Sequence, residues 1–512
     1  MTDKIISYDL GTGGIKASLY TGQGKSLAST FVSYPTFFPG ENMQEQAPDD
    51  WWNSIITTTR ELLQKTAVDT NEIVALAISG HSLGAVPIGK SGELLRERTP
   101  IWSDKRAISQ ATDFFRKVNY KDWYMTTGNG FPAECYTIFK ILWYKENEPE
   151  MYSRIDKVIG TKDYCNFRFT GRLCTDFSYA SGCGLFDLKQ WKYNKEFIDA
   201  SNINPCILPE IIPSDAVVGT INSRAAEETG LPVTVKVICG GVDNSCMALG
   251  AKGTEQGRVY TSLGSSAWIA LVSGEPVLDF QYKPYVFAHV INGMYASATS
   301  IFSAGNSLRW VRDNFCIDLL EKQQKGGEDA YNAMTSLAAK SPIGSNNVIF
   351  NPSFSGGSMI EETPNICGGF AGLNLATGRE DIIRAALEGI AMNLRMAFDI
   401  LKKYYPANID SMLIAGGGSK SALWRQIFAD IYQTDILKSS IDQDAASFGA
   451  AALAAKGAGL WKDFSGMDDL HNIENITKPN AENVEKYNRL FVKFQEFAHY
   501  MALMGDSLSG FE

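Results

Sequence analysis

The pattern of hydrophobic and polar positions predicts short buried strands that alternate with amphipathic helices along most of the chain. Apolar runs bounded by polar or glycine-rich turns predict strands at residues 73–79 and 412–415. Apolar residues at helical spacing predict helices at residues 50–66 and 381–401. Strands and helices in alternation are typical of an α/β class protein.

Each half of the chain also contains a strand, a turn of small residues and a second strand. In the first half, strand-like runs at residues 5–10 and 15–20 flank Gly-Thr-Gly-Gly. In the second half, runs at residues 257–262 and 267–272 flank Leu-Gly-Ser-Ser. Short connections that contain glycine between apolar runs predict β-hairpins. The recurrence predicts two related lobes with a cleft between them.

Composition indicates a folded globular protein with more than one domain. The chain has 512 residues, of which 45% are hydrophobic and 20% are charged. A chain of this length exceeds what one hydrophobic core usually serves. The formal net charge of −10 opposes binding to nucleic acids or anionic membranes, because both carry negative charge themselves. We therefore expect neither as a partner.

Targeting and redox signals are those of a cytoplasmic protein. The N-terminal segment becomes polar and glycine-rich after one short apolar run, which does not match a signal peptide, and no apolar stretch has the length of a membrane span. The nine cysteines form no Cys-x-x-Cys pair, and there are only four histidines. We expect reduced cysteines, no zinc site and no histidine-based metal centre.

One segment matches a nucleotide-binding pattern that its context contradicts. Residues 84–91 have the P-loop spacing Gly-x-x-x-x-Gly-Lys-Ser, in which Lys90 would contact a terminal phosphate. A P-loop must open a long helix directly after the serine, but Gly92 and Pro100 leave no room for one. We expect a strand and a polar turn there instead.

The two hairpin turns are the better candidates for phosphate binding. Glycines let backbone N–H groups approach phosphate oxygens, and Thr12 adds a hydroxyl donor. Asp9, at the end of its strand, offers the hard oxygen ligands that suit Mg²⁺. An ordinary glycine hairpin with a turn-capping aspartate would explain the same residues. The second turn, at residues 262–266, offers matching donors, and two such turns favour the phosphate interpretation.

Two further glycine-rich segments follow predicted strands. Residues 416–418 are three glycines before a helix, where an adenine or ribose could lie against bare backbone; close strand-to-helix packing is the alternative. Asp243 lies in a Gly-Gly-Val-Asp-Asn run after the strand at residues 235–239, where open α/β folds place reactive groups. It could accept a hydroxyl proton as a general base, or it could simply cap a helix.

Together these segments resemble the motifs of the FGGY carbohydrate kinases, in the same order and over nearly the whole chain. Each motif alone is weakly specific, whereas eight in order are strongly specific. In chain order they are Asp9-Leu-Gly-Thr-Gly-Gly, Ile101-Trp-Ser-Asp-Lys-Arg, Lys140-Ile-Leu-Trp with Glu146-Asn-Glu-Pro, Lys162-Asp-Tyr with Thr170-Gly and Asp176, Gly240-Gly-Val-Asp-Asn, Ser262-Leu-Gly-Ser-Ser, Gly368-Gly-Phe-Ala-Gly-Leu with Asp381-Ile and Ala385-Ala-Leu-Glu, and Ile414-Ala-Gly-Gly-Gly-Ser with Trp424 and Asp430.

The resemblance implies a fold, a reaction and a set of site residues. The fold would be two actin-like (ribonuclease H-like) α/β ATPase domains flanking a central cleft, at residues 1–248 and 249–512. The reaction would be sugar phosphorylation by ATP with Mg²⁺, with Asp243 as the catalytic base and with Asp9 and Asp243 as metal ligands. The implied ATP contacts are Gly11, Thr12, Gly13, Gly14, Lys16, Ser262, Gly264, Ser265, Ser266, Gly416, Gly417, Gly418 and Ser419. The implied sugar contacts are His81, Ser82, Leu83, Trp102, Asp104, Arg106, Asp243 and Asn244.

The resemblance defines the acceptor least. A ketopentose such as xylulose is the first expectation, because several motifs are similar to those of xylulokinases. Where xylulokinases carry Gln-Met-His-Gly, however, this chain has His81-Ser-Leu-Gly, and residues 309–316 resemble the autoinducer-2 kinase branch. Another polyol, an aldonate, a deoxyketose or an autoinducer-2-like substrate is an alternative acceptor. An actin-like nucleotide-binding regulatory protein without kinase activity is the alternative from another class. We also expect a homodimer.

Overall fold

The computed structural model describes residues 3–441 and 444–510. Strands and helices alternate along most of them, as the sequence pattern predicts. The strands are β1 (Lys4–Gly11), β2 (Gly14–Thr21), β3 (Ser26–Ser33), β4 (Glu45–Gln46), β5 (Ile73–Gly80), β6 (Val86–Gly89), β7 (Thr99–Pro100), β8 (Ile155–Ile159), β9 (Cys174–Asp176), β10 (Phe186–Asp187), β11 (Lys192–Tyr193), β12 (Glu210–Ile212), β13 (Val217–Thr220), β14 (Lys236–Val242), β15 (Val259–Leu263), β16 (Ala267–Ser273), β17 (Tyr285–Ala288), β18 (Tyr295–Ile301), β19 (Ile349–Asn351), β20 (Gly369–Ala371), β21 (Ser411–Ala415), β22 (Asp435–Ser439) and β23 (Ile473–Thr477).

The helices vary from single turns to long amphipathic elements. They are α1 (Pro48–Thr66), α2 (Ile108–Phe115), α3 (Tyr120–Thr127), α4 (Thr137–Asn147), α5 (Pro149–Ser153), α6 (Thr161–Thr170), α7 (Phe177–Ser181), α8 (Lys195–Ser201), α9 (Ser223–Thr229), α10 (Asp243–Gly250), α11 (Gly305–Phe315), α12 (Ile317–Gln324), α13 (Ala330–Ala338), α14 (Arg379–Lys403), α15 (Ala422–Tyr432), α16 (Ala445–Ala458), α17 (Met467–Leu470) and α18 (Ala481–Ser509). Short 3₁₀ turns lie at Thr70–Glu72, Ala133–Cys135, Pro205–Ile207, Ser345–Asn347 and Gly417–Lys420.

The chain folds into two compact units that interleave in sequence. The first unit extends to residue 256 and also contains residues 272–297 and 444–471. The second contains, among the described residues, 257–271, 298–441 and 472–510. Two later segments thus pack with the first unit, while the expected division into domains at residues 1–248 and 249–512 stays a prediction.

The first unit is built on a six-stranded sheet with the order β13-β14-β5-β1-β2-β3. β1 and β2 form the expected antiparallel hairpin, in which Gly11 pairs with Gly14 across the turn. β5 runs parallel to β1, and β14 runs parallel to β5. The carboxyl ends of these three strands therefore lie at one edge of the sheet. Helix α10 begins directly after β14 at this edge.

Apolar side chains on the face of this sheet that packs against α1 help to explain why it forms. One core cluster combines strand residues such as Ile6, Leu76 and Val237 with Trp51 and Trp52 of α1, all nearly inaccessible to solvent. A second cluster, rich in aromatic residues, packs α2, α3 and α4 together. Burial of this much apolar area is the main stabilising term for such a unit.

The second unit repeats the sheet plan of the first. Its strands include the hydrogen-bonded order β16-β15-β21-β22-β23. β15 and β16 form the second expected hairpin, β21 is parallel to β15, β22 is parallel to β21, and β23 is antiparallel to β22. The recurrence of hairpin and parallel strands confirms that the two halves of the sequence encode related units.

The P-loop-like segment adopts the strand and turn that its context predicts. Val86–Gly89 is β6, and the turn that follows exposes Lys90. No described helix begins directly after Ser91, since the next one along the chain, α2, starts only at Ile108. This segment therefore lacks the helix N-terminus that a P-loop uses to bind phosphate.

Two global expectations can be compared with the fold. The structure pairs none of the nine cysteines, and seven of them are buried, in agreement with the expectation of mostly buried side chains. Within residues 3–441 and 444–510, no helix combines the length and the apolar character that a membrane crossing requires.

Candidate active site

Two carboxylates, Asp9 and Asp243, lie at the same edge of the first-unit sheet. Asp9 is near the end of β1 and pairs in register with Ser79 of β5, whose hydroxyl donates to Asp9 Oδ1 at 3.3 Å. Asp243 opens α10, and its Oδ1 accepts the N–H of Asn244 at 2.7 Å. The two carboxylates are close enough for their charges to interact.

Burial makes both carboxylates harder to ionise than usual. Burial raises the pKa of Asp243 to about 7. The hydrogen bond from Asn244 lowers this pKa in part, and the charge of Asp9 raises it further. Burial likewise raises the pKa of Asp9 to about 6. A general base with a pKa near neutrality is well matched to proton transfer at neutral pH. This edge can therefore accept a proton.

The same pair fits the ligand requirements of Mg²⁺. This ion usually takes one or two protein carboxylates together with water and substrate phosphates. Asp9 and Asp243 supply two, and no group of three or more potential metal ligands (His, Cys, Asp or Glu) exists among the described residues. A cation here would also relieve the unfavourable burial of two negative charges. The donor set thus suits Mg²⁺ bound with a nucleotide rather than a closed protein metal site.

The first turn is held by residues from other segments. Gln46 Nε2 donates to Thr12 O at 2.7 Å, and the Tyr34 hydroxyl donates to Gly11 O. Trp102, which is partly exposed, donates from Nε1 to Thr12 Oγ1 at 2.9 Å. A predicted sugar-binding residue therefore contacts a predicted phosphate-binding residue directly.

Lys16 lies on β2 opposite Asp9 in the strand register. Its ammonium forms an ion pair with Asp444, the residue that precedes α16. The remaining turn glycine, Gly13, is exposed and has no heavy atom within 4 Å of the place where a Cβ would be. Open space of this kind lets a phosphate approach the backbone closely.

The histidine predicted to contact the sugar is buried and unpaired. His81 follows β5 at the sheet edge, is 1% exposed and packs edge-on against Trp51 at 5.6 Å between ring centroids. Neither ring nitrogen of His81 has a hydrogen-bond partner within the described residues. Burial lowers the pKa of His81 to about 3, so the ring is neutral. Its unsatisfied nitrogens could bind a substrate hydroxyl. Ser82 beside it is also buried.

Leu83 has a different environment from the one that a sugar contact requires. It is 1% exposed, and its side chain belongs to the aromatic-rich core cluster. Its carbonyl accepts a hydrogen bond from Lys140 Nζ at 2.8 Å. Lys140 is fully buried and also donates to Ile101 O at 2.7 Å and to Cys135 O at 2.6 Å. Its ammonium therefore ties together the segments around Leu83 and Trp102.

Asp104 and Arg106 pair with each other. Arg106 donates to both carboxylate oxygens of Asp104, including Nη2 to Oδ2 at 2.7 Å, and also bonds Glu45 at 2.8 Å. Both side chains are almost entirely buried. Their hydrogen-bonding capacity is largely used within the protein, so in this structure they shape the Trp102 segment. Direct contact of either side chain with a sugar stays a prediction.

In the second unit, the second turn is anchored by the start of α11. The N–H groups of Gly305 and Asn306 donate to Gly264 O at 2.9 Å and to Ser265 O at 3.0 Å. Ser262 is partly exposed, whereas Gly264, Ser265 and Ser266 are exposed. The turn carbonyls are thus held by the protein, and the serine hydroxyls are accessible to a ligand.

A pocket of about 560 Å³ lies between this turn and the glycine segment of residues 416–418. Its size is within the range of small-molecule sites. Gly417 and Gly418 line it, and Trp424 of α15 forms part of the wall. Gly418 packs tightly against the second turn, since a Cβ on Gly418 would lie 2.0 Å from Leu263 Cδ2. The structure therefore brings together the two predicted nucleotide-binding segments of this half of the chain.

Ser419 is the buried residue among the predicted nucleotide contacts in this half, and Ser262, Ser266 and Gly416 also lie outside the pocket lining. It is 1% exposed and does not line the pocket. Its carbonyl accepts a hydrogen bond from Arg425 Nη1 at 2.5 Å. Ser419 thus contributes to the backbone turn behind the glycines.

Sequence reasoning missed the other wall of the pocket. Tyr331, Asn332 and Thr335 of α13, together with Arg309 of α11, also line it. The three α13 residues match no motif, and Arg309 begins the segment that resembles the autoinducer-2 kinase branch without indicating a nucleotide contact, so only the packing of α11 and α13 reveals this wall. Lys420, next to the glycines, also reaches the pocket.

Comparison with known proteins decides the family. Residues 4–250 match the N-terminal domain of the FGGY family of carbohydrate kinases, and residues 259–458 match the C-terminal domain. The chain belongs to the FGGY family of carbohydrate kinases. It is a sugar kinase that transfers phosphate to an alcohol group, and ATP is its phosphate donor.

Relatives with the FGGY fold differ in their acceptors. The chain is 29% identical to a xylulose kinase of Bacillus subtilis (strain 168) over 508 residues, which cover 99% of each protein. The ligand-bound structure of xylulose kinase from Lactobacillus acidophilus has a TM-score of 0.89 at 26% identity and covers 99% of this chain and 100% of that one. Gluconate kinase from Lactobacillus acidophilus has the same TM-score and identity and covers 99% of each chain. The expected fold of two actin-like α/β domains is confirmed.

Proposed function

We propose that this FGGY kinase phosphorylates a small neutral sugar, with a ketopentose such as xylulose as the first candidate, and that Asp243 is its catalytic base. The observation that carries the proposal is the position of Asp243 at the carboxyl end of β14, beside Asp9, with a pKa of about 7. A carboxylate of this kind can take the proton of a sugar hydroxyl as that oxygen attacks phosphorus.

The reaction forms one P–O bond and breaks another. The acceptor oxygen attacks the γ-phosphorus in line, its proton passes to Asp243, and the β-phosphate oxygen leaves with ADP. In the first unit, backbone N–H groups of the Gly11–Gly14 turn and the Thr12 hydroxyl offset the phosphate charge. In the second unit, the pocket beside Gly417 and Gly418 holds the adenosine. When bound, Mg²⁺ would neutralise charge on the phosphate oxygens, and Asp9 and Asp243 would hold it.

Three basic side chains of the predicted acceptor segments support a neutral sugar rather than an aldonate. A carboxylate substrate requires a free cation, but Arg106 is bound by Asp104 and Glu45. Lys140 is enclosed by three backbone carbonyls. His81 is neutral, because burial lowers its pKa to about 3. These groups favour hydroxyls over a negative charge.

An aldonate is the second candidate, because the similarity to gluconate kinase is as high as that to xylulose kinase among the solved structures. Acceptor-dependent ADP release measured with D-xylulose, xylitol, 1-deoxy-D-xylulose, autoinducer-2 and gluconate separates the candidates. We expect kcat/KM for D-xylulose to exceed that for gluconate at least about tenfold, a difference of about 1.4 kcal/mol. Phosphorus NMR of the product identifies the modified hydroxyl. A preference for gluconate would contradict the neutral-sugar proposal.

The role of Asp243 has its own test. Asp243→Asn keeps the shape of the side chain but removes its basicity, so we expect kcat to fall at least about 10²-fold. Lys90→Ala, in the P-loop-like segment, is the control and should leave kcat unchanged. The opposite result, loss with Lys90→Ala alone, would contradict Asp243 as the base.

A cytoplasmic location and the absence of nucleic-acid or membrane partners belong to the same proposal. The net charge of −10 supports the absence of nucleic-acid and anionic-membrane partners. A homodimer also stays a prediction, which analytical ultracentrifugation of the purified chain would check.

A further inference from the structure

The strand that leads to Asp243 contains a β-bulge. β14 is in parallel register with β5 up to the pair Ile238↔Ala77, and the register resumes at Gly241↔Ser79. Two residues of β14, at positions 239 and 240, therefore lie opposite the single residue Ile78. A bulge bends its strand and changes the direction of the side chains that follow, and bulges are frequent next to active sites.

The bulge depends on a glycine. Gly240 has φ +73°, and a Cβ there would lie 2.0 Å from Ile78 O. The N–H groups of Cys239 and Gly240 donate to Ala216 O and Ser214 O, both at 2.9 Å. The bulged backbone is thus bonded to the segment before β13 instead of to β5.

A buried ion cluster holds the carbonyl of Cys239, the first residue of the bulge. Lys162 of α6 has no exposed surface, and its Nζ lies 2.5 Å from Asp163 Oδ1 and 3.0 Å from Asp176 Oδ1. Burial alone would lower the pKa of Lys162, but the two carboxylates outweigh it and hold that pKa well above its usual value. Cys239 O accepts hydrogen bonds from Asn166 Nδ2 at 2.8 Å and from Lys162 Nζ at 3.4 Å.

The same cluster also holds Val242, which follows the bulge, through the hydroxyl of Ser178. Asp176 caps α7, and its Oδ2 accepts hydrogen bonds from Ser178 Oγ at 2.5 Å and from Ser214 Oγ at 2.7 Å. Ser178 Oγ in turn accepts the N–H of Val242 at 2.9 Å. Val242 immediately precedes Asp243, so the cluster fixes the backbone on both sides of the bulge.

We propose that the buried Lys162–Asp176–Ser178 network is a positioning device that aims Asp243 at the acceptor hydroxyl by holding the bulge of β14. The inference rests on the proposed role of Asp243. It assigns a task to polar groups that are not among the predicted site residues. Misplacement of a reacting group by about 1 Å can cost about 10²-fold in rate.

Ser178→Ala is the sharpest test, because it removes only the hydroxyl between Asp176 and Val242. The matched control is Ser181→Ala in the same helix: its hydroxyl is also fully buried and also accepts a backbone N–H, from Ala288 at 3.0 Å. With D-xylulose and Mg·ATP we expect Ser178→Ala to lower kcat about 10- to 100-fold with KM for ATP unchanged. Ser181→Ala should stay within about twofold of the unaltered protein, and Ser178→Thr, which keeps the hydroxyl, should recover part of the rate.

Hydrogen exchange of the segment from residue 239 to residue 246 gives a second readout that needs no acceptor. Ser178→Ala should speed its exchange because the Val242 N–H loses its partner, whereas Ser181→Ala should not. Equal kcat losses in both variants, or unchanged exchange in Ser178→Ala, would overturn the inference. Asp243→Asn separates the two proposals. If it is inactive while Ser178→Ala is fully active, only the positioning role is wrong. If it is fully active, the proposed base is wrong, and the positioning role fails with it.

Discussion

The two units share a sheet plan and differ in the chemistry of the same edge. The order β2-β1-β5-β14-β13 in the first unit corresponds to β16-β15-β21-β22-β23 in the second, with the same strand directions. Even the hairpins match, since Asp9-Leu-Gly and Ser262-Leu-Gly occupy the same place before each turn. The first unit thus has a carboxylate where the second has a hydroxyl.

The rest of each edge extends this difference. In the first unit, Asp243 follows a bulged strand that a buried ion cluster holds. In the second, β21 leads into three glycines and a pocket of about 560 Å³. Proton transfer requires a charged group in a fixed direction, whereas adenosine binding requires space and backbone. Under the proposed function, a common fold supplies the edge, and the residues on it decide which half of the reaction each unit serves.

The largest expected effect in this comparison comes from substituting each of the two equivalent residues, Asp9 and Ser262, in turn. Asp9→Asn should raise the Mg²⁺ concentration needed for half-maximal rate at least about tenfold and lower kcat by up to about 10²-fold, because a metal ligand and its charge are lost. Ser262→Ala, at the matching position of the second unit, should lower kcat less than about tenfold. Mg²⁺ titrations of the initial rate measure both. Equal effects would break the comparison, since the two edges would then serve the phosphates alike.

A substitution at Lys140 is expected to affect binding of the acceptor but not binding of the nucleotide. Lys140→Met removes the donors to Leu83 O and Ile101 O, so we expect KM for the acceptor to rise about tenfold and KM for ATP to stay within about twofold, a selective loss of about 1.4 kcal/mol. The control is Lys145→Met in the same helix, whose ammonium bonds Asn202 O near the surface. Parallel rises in both KM values would show that Lys140 acts on the whole unit rather than on the acceptor segments.

The residues behind these predictions differ in how far the sequence alone could indicate them. The positions of Asp9 and Asp243 at strand ends could be predicted because each follows an apolar run and precedes a turn or helix, a local pattern, whereas their roles stay predictions. The P-loop-like segment could be dismissed for the same reason, since its missing helix is a local property. The family resemblance then supplied the remaining motifs.

What the sequence could not predict depends on contacts between distant segments. The return of residues 272–297 and 444–471 to the first unit is one case. The three carbonyls around Lys140 are another, because they come from positions 83, 101 and 135. Gly240 was visible as a glycine, but its bulge exists only relative to β5. Leu83 shows the converse: its motif position indicated a sugar contact, whereas packing places it in the core.

A smaller effect tests the nucleotide side. Gly417 is exposed in the pocket and has no heavy atom within 4 Å of a Cβ position. Gly417→Ala should therefore put a methyl group into space that adenosine uses, and we expect KM for ATP to rise about 3- to 10-fold without a change in KM for the acceptor. Gly466→Ala in the first unit has equally open surroundings and serves as the control. An unchanged KM for ATP would contradict adenosine binding against this backbone.

The smallest expected effect concerns stability and applies only to the edge that carries the carboxylates. The pKa values of Asp9 and Asp243 are raised from 3.8 to about 6 and about 7. A raised carboxyl pKa means that the folded state binds its proton more tightly than the unfolded state, so this contribution to stability is complete below about pH 4 and is lost as the pH rises through about 7. The ligand-free protein should therefore be destabilised at pH 8 by its own active-site charges.

Asp243→Asn removes one of those charges while keeping the size of the side chain. One pKa unit corresponds to about 1.4 kcal/mol, but partial exposure screens the charge, so we expect a gain of about 1–2 kcal/mol at pH 8. Such a gain would raise the thermal unfolding midpoint of a unit of this size by about 2–8 °C. At pH 4.5 the gain should be much smaller, because the folded state then keeps the Asp243 proton and only the unfolded carboxyl, with its pKa of 3.8, is still largely ionised. Ser262→Ala should change the midpoint equally at both pH values, since the corresponding edge of the second unit has a hydroxyl there. A gain that is the same at both pH values would mean that Asp243 is destabilising for steric reasons, and the electrostatic difference between the two edges would then be wrong.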